Sequence, residues 1–84
     1  MKLEEAVKTV EAISYHLSKV KELALKLRGV DVEEVAEAAE DIVDAVTSMQ
    51  VVVQSMKEIL AEELAERKMK REEGKLGLPF LGLL

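Results

Sequence analysis

Leu3, Val10, Leu17 and Ala24 recur every seven residues, and Ala6, Ile13, Val20 and Leu27 recur beside them at the same interval. An unbroken apolar repeat of this kind, with charged residues filling the gaps, commits the stretch to one helix with a packing seam. Arg28-Gly29 closes it, with a cation in the last turn and a glycine suited to cap it just beyond. The segment GVDVEEV then starts a second helix. Asp31 is a good N-cap, Glu34 three residues on completes a capping-box pattern, and Glu33 favours the positive helix end. Val30 can staple onto Val35 or Ala36. The spacing predicts a helix over about 2–28, a turn at 29–31 and a helix over about 32–73. So short a connection requires the two helices to lie antiparallel and adjacent.

The second helix carries more apolar surface than the first. Val32, Ala39, Val46, Val53 and Leu60 share one heptad position, and Val35, Ile42, Met49 and Met56 share another. A third row, Ala38, Ala45, Val52 and Ile59, flanks them. A seam with a single partner helix needs two rows, so a third makes the face too wide for one partner. From Ala45 to Met56 the chain has no charge anywhere around the helix. Left uncovered, such a surface is sticky. The fold class expected is therefore all-α: an antiparallel two-helix hairpin, with a short first helix and a longer second one, that dimerises or oligomerises as a helical bundle. The interface expected is Ala38, Ala45, Met49, Val52, Val53, Met56 and Ile59. Thr47, Gln50, Gln54 and Ser55 form a neutral polar patch suited to its rim or to cross-subunit hydrogen bonds.

Charge is distributed to match. Residues 1–30 carry more Lys and Arg than Asp and Glu, residues 31–60 are strongly acidic apart from Lys57, and residues 61–84 balance. Two such segments side by side attract. The net charge of −5 argues against nucleic acid as a partner. Tyr15 and Phe80 are the only aromatic residues, which argues against base-stacking platforms and aromatic-lined pockets. The chain has no Cys, so disulfides and thiolate metal sites are excluded. Residues 1–14 hold Glu4, Glu5 and Glu11 and no apolar run, so no signal peptide is expected there. No stretch approaches the roughly 20 apolar residues of a spanning helix. Location is not readable beyond a cytoplasmic default.

No catalytic, metal or cofactor site is expected. His16 lies beside the Leu17 seam. A lone helical His opposite a second helix resembles the dimerisation hairpins of histidine kinases, which would imply phosphotransfer. In those hairpins an acidic residue follows the His and a Pro lies nearby. Here Leu17 follows, and the one Pro is Pro79. His16 therefore reads as a boundary residue covering the seam. Glu33, Glu37, Glu40, Asp41 and Asp44 fall on the outer face rather than at the inward positions that di-metal bundles use. They read as a solvated acidic face.

The chain ends GKLGLPFLGLL, in which Lys75 is the only charged residue. Gly74 is a natural helix cap, and Gly77, Pro79 and Gly82 work against continued helix. The expectation is an extended apolar tail over 74–84 following the hairpin of 1–73. Burying its five Leu and Phe80 would contribute about 9–18 kcal/mol, and ordering the backbone costs about 10–20 kcal/mol. The tail should order only in a matched groove, with Leu76, Leu78, Phe80, Leu81, Leu83 and Leu84 as its docking residues. The stretch LGLPFLGLL resembles the cargo-loading tails of encapsulin shells in its Gly and Leu content, without their Gly-Ser-Leu repeat. The function expected is non-enzymatic: a self-assembling structural protein whose tail docks on a neighbouring copy. The alternative is an adaptor or cargo module whose tail is bound by a different protein with an apolar groove. The regular heptads also resemble those of idealised designed bundles.

Overall fold

A computed structural model describes the backbone of residues 1–83 and the side chains of residues 1–69. It contains two helices, α1 (Leu3–Leu27, 25 residues) and α2 (Glu33–Leu83, 51 residues), packed along one another. The Cα trace measures 76 × 16 × 16 Å. At about 1.5 Å per residue, α2 alone accounts for the long dimension.

Glu4 and Glu5 in the first turn of α1 and Lys26 in its last turn oppose the helix dipole. The last turn tightens as it ends. Arg28 N–H still donates to Ala24 O at 3.2 Å, but Gly29 N–H donates to Lys26 O at 3.3 Å and Val30 N–H to Leu27 O at 3.0 Å. Three-residue bonds of this type consume carbonyls that a helix end would otherwise leave unpaired. The C-cap, Arg28, is right-handed (φ −60°, ψ −24°), and no described glycine has positive φ. Gly29 therefore does not supply the left-handed cap that its position suggests.

The start of α2 also differs from expectation by one residue. Val35 and Ala36 both donate to Val32 O, at 3.1 and 3.0 Å. Val32 thus occupies the N-cap position and Asp31 stands outside it, so the Asp31–Glu34 capping box is not formed. The shift moves Glu33 and Glu34 into the first turn, where they still favour the positive helix end.

The buried core is Val10 and Ala24 of α1 with Ala39, Val43, Val46 and Val53 of α2. Lys57 Nζ donates to Ser14 Oγ at 3.2 Å, and Arg28 Nη1 to Glu40 Oε2 at 3.0 Å, which fixes the antiparallel register. The row Leu3, Val10, Leu17, Ala24 lies in the seam as its spacing predicts. The second seam row of α1 is Val7, Ser14 and Lys21, all half-buried, whereas Ile13, Val20 and Leu27 of the expected row are exposed and only its Ala6 is half-buried. Likewise Ala39, Val46, Val53 and Leu60 enter the seam of α2 with Ala36, Val43, Gln50 and Lys57, while Val35, Ile42 and Met49 stay exposed. In the rotated seam Ser14 and Lys57 satisfy one another.

The backbone of α2 stays helical past residue 73, through Gly74 and Pro79 to Leu83, where the sequence predicts extended chain. Leu is among the best helix formers and supplies much of this stretch. Against it stand Gly74, Gly77, Gly82 and Pro79, together about 6 kcal/mol less favourable than Ala in a helix interior. Pro79 has no N–H to give to the carbonyl of Lys75. The docking reading of Leu76, Leu78, Phe80, Leu81, Leu83 and Leu84 lies outside the described side chains. Because Leu3 stands beside Leu64 and Arg67, α2 overruns the start of α1 by about 25 Å.

The Gly29 geometry gives a direct test. A Cβ at Gly29 would meet only Lys26 O, at 3.7 Å, and no left-handed backbone opposes it. Gly29→Ala should raise stability by about 0.4–1 kcal/mol through the unfolded chain, read as a higher urea midpoint at constant slope. A fall in the midpoint would mean that Gly29 is left-handed after all.

Candidate interaction face

Two surfaces qualify as sites. The first is the polar layer inside the seam. Lys57 reaches Ser14 across the hairpin, and beside them lies a notch of about 220 Å³ walled by Val7, Val10, Leu60 and Leu64. A Ser–Lys pair can serve as nucleophile and base. Acyl transfer also needs donors for the developing oxyanion. Both residues sit in mid-helix, where the backbone N–H groups are already spent on their own helices. The pair is better suited to fixing helix register, as polar residues at seam positions do.

The second surface is larger. Ile13, Val20 and Leu27 are each at least 40% exposed, while the neighbouring Ser14 and Lys21 are half-buried. On α2, Val35, Ile42 and Met49 stand in the same relation to Ala36, Val43 and Gln50. Each exposed row lies one residue before a seam row. In an antiparallel pair, rows so related fall along the same edge of the hairpin. The Ala38, Ala45, Val52, Ile59 row extends that edge on α2, and Leu23 extends it on α1. The result is one continuous apolar face spanning both helices. The opposite edge is mixed. It carries Glu11 beside Ala61, Ser18, Thr47 and Gln54, and the Arg28–Glu40 pair, with Leu25 and Val51 exposed among them. That pair is nearly half exposed on both sides, so it contributes about 1 kcal/mol at most.

The expected interface residues divide accordingly. Ala38, Ala45, Met49, Val52 and Ile59 are exposed on this face, with Val52 at 59% and Ile59 at 63%, and Met56 is half-buried at its margin. Val53 is the correction. It is 5% exposed and belongs to the hairpin core, because it shares the heptad position of Ala39 and Val46. The α1 half of the face, Ile13, Val20, Leu23 and Leu27, is absent from the interface that the sequence predicts. Its signal was present: both helices carry one apolar row more than a hairpin can cover. The polar patch also resolves. Thr47 Oγ1 donates to Val43 O at 2.8 Å and Ser55 Oγ to Val51 O at 3.2 Å, so both hydroxyls bond within α2, and Gln50 faces the seam. His16 is exposed on the α1 margin, edge-on to Tyr15 with centroids 5.5 Å apart.

Among the described residues, no group of His, Asp and Glu is placed to hold a metal ion, and no helix is long and apolar enough to cross a membrane. The fold and surface together define a two-helix hairpin with an unpartnered apolar face. Comparison with protein-family models, with curated proteins and with solved structures finds no match to this chain.

Adjacent residues on α2 should respond oppositely to charge. Val53→Lys buries an unpaired ammonium in the seam and should cost about 3–5 kcal/mol of hairpin stability. Val52→Lys should leave the hairpin helical by circular dichroism at low concentration. Equal losses in the two variants would contradict the observed seam.

Proposed function

We propose that the chain is a non-enzymatic, self-assembling structural protein that pairs with copies of itself through the apolar face, with its C-terminal segment as a second, docking contact. The observation that carries this is the inverted burial on α1: Ile13, Val20 and Leu27 are turned outward while Ser14 and Lys21 are turned toward the seam. A chain selected to be a lone hairpin would gain by reversing that choice, since apolar burial is the main favourable term in folding. The face is about 40 Å long and about 20 Å wide, or roughly 800 Å², which is what one partner contributes to a stable interface. Its apolar rows extend across both helices, so a second hairpin would bury the rows of α1 and α2 together.

The tail enters the proposal through its energetics. Helix over 74–83 carries the Gly and Pro penalties with only marginal apolar gain available, so it needs a groove to repay them. A neighbouring copy is the partner proposed, and the overrun of α2 beyond α1 brings the segment clear of its own hairpin. A different protein with an apolar groove is the second reading, favoured by the Gly/Leu-rich composition of LGLPFLGLL.

Sedimentation equilibrium at micromolar concentration tests the first element. The expected result is a mass at a multiple of 9.3 kDa, reduced to the monomer by Val52→Lys combined with Ile59→Lys. A wild-type monomer overturns the proposal. Deleting residues 75–84 separates the two tail readings. Loss of assembly beyond the paired hairpins supports docking between copies; an unchanged assembly state supports a foreign host.

A further inference from the structure

We infer that the partner on the apolar face is a second copy related by a two-fold axis parallel to the rod, so that α1 of each copy lies over α2 of the other. The inference rests on the self-association proposed above and adds its geometry. Two hairpins can close face to face by two-fold rotation in two ways. An axis along the rod keeps every residue at its own height and sets α1 against the partner's α2. An axis across the rod reverses one copy and sets α1 against α1 and α2 against α2.

The margins of the face distinguish the two. Beyond its apolar rows, α1 carries Lys19 and Lys26 toward the turn and Glu5 near its start. The corresponding margin of α2 carries Glu34, Asp41 and Glu62 around the neutral Ser48 and Ser55. With the axis along the rod, the lysine end of each α1 margin meets the partner's Asp41, while Glu5 at the open end comes level with the partner's Glu62. The hairpin register places Lys26 within about one helical turn of the height of Asp41. Lys19 already leans on Tyr15 and Glu22, at 5.6 Å from the ring centroid and 3.6 Å from the carboxylate. Lys26 therefore carries the contact. With the axis across the rod and the apolar stretches aligned, lysines face lysines along one margin and Glu34 approaches the partner's Glu62 along the other. Like charges so placed disfavour that arrangement.

Side-chain size agrees along the row of Thr9 and Leu23. Toward the turn, α1 presents Leu23 at the height where α2 presents Ala45, and Leu27 stands level with Ile42. Toward the open end, α1 presents Ala6 and Thr9 near the height of Ile59. An axis along the rod therefore sets Leu23 on Ala45 and Thr9 near Ile59, large on small as bundle cores favour, with Leu27 on Ile42 beside them. A consequence is that both turns lie at one end of the dimer and both overrunning α2 segments leave from the other.

The chain has no Cys, so a single Asp31→Cys in the exposed turn gives a clean spin-label site in the full-length protein. Electron–electron dipolar spectroscopy should then report an inter-label distance of about 20 Å, against about 40 Å or more for the reversed arrangement. In a parallel experiment, Lys26→Glu and Asp41→Lys should each weaken the dimer a few-fold, and the two combined in one chain should restore it. Within a single hairpin these residues point away from each other, so rescue reports contact between copies. A dimeric mass with the long distance, or single-variant losses without rescue, overturns this geometry and leaves self-association standing. A monomeric mass with no inter-label distance overturns both.

Discussion

One seam between two helices is the constraint from which the rest follows. A short turn after Leu27 forces α1 and α2 side by side, and a helix can present only one strip to a single neighbour. The strips chosen are lined by Val, Ala and Leu with Ser14, Lys21, Gln50 and Lys57 among them. Such a seam brings the axes together and fixes register, but it buries little. Bulkier residues such as Ile13, Val20, Ile42 and Met49 are displaced to one edge, where the hairpin has nothing to cover them. Thin core and exposed face are therefore one fact seen from two sides.

Much of the architecture was legible in the sequence. The seven-residue repeats of Leu3 and Val53 located both helices and named one seam row on each. The Arg28–Val32 break located the turn, and the uncharged run from Ala45 to Met56 marked where α2 has surplus apolar surface. The second seam row was less legible, for a physical reason. A helix of 3.6 residues per turn offers i+3 and i+4 as equal neighbours of any seam residue. Hydrophobicity favours the i+3 row, with Ile13 and Val20, whereas the fold uses the i+4 row, with Ser14 and Lys21. A lysine can do this because its long apolar stem packs while its ammonium reaches a partner or water. Pairing across the seam, as between Lys57 and Ser14, is invisible to any pattern read along one helix. The same limit explains Val53, whose row assignment was right and whose place at an intermolecular interface was not.

At the ends of the helices, propensity competed with context. Asp31 is the better cap, yet Val32 supplies the first acceptor carbonyl, because the three-residue bonds closing α1 set where α2 can begin. Gly29 sits where a left-handed cap is common and remains right-handed. At the C-terminus, Leu content and the Gly and Pro breakers pull in opposite directions, and the backbone follows Leu to Leu83. The acidic margin of α2 and the lysines of α1 belong to a different layer of information. They contribute little to the hairpin itself and bear on which way round a partner could lie.

The short turn has a further consequence, for the order of folding. Ala24 and Val46 are brought together by closing a small loop, whereas Val10 and Leu60 at the far end close one more than twice as long. Each doubling of loop length adds only about 0.6 kcal/mol of closure entropy, so once the turn-proximal contacts form, the remainder can zip closed in sequence. Chains dominated by such nested, local contacts fold within microseconds to milliseconds. Encounter between two folded hairpins is bimolecular and slows on dilution. The rod should therefore be complete long before it meets a second copy, and at low concentration its apolar edge would spend most of its lifetime facing water.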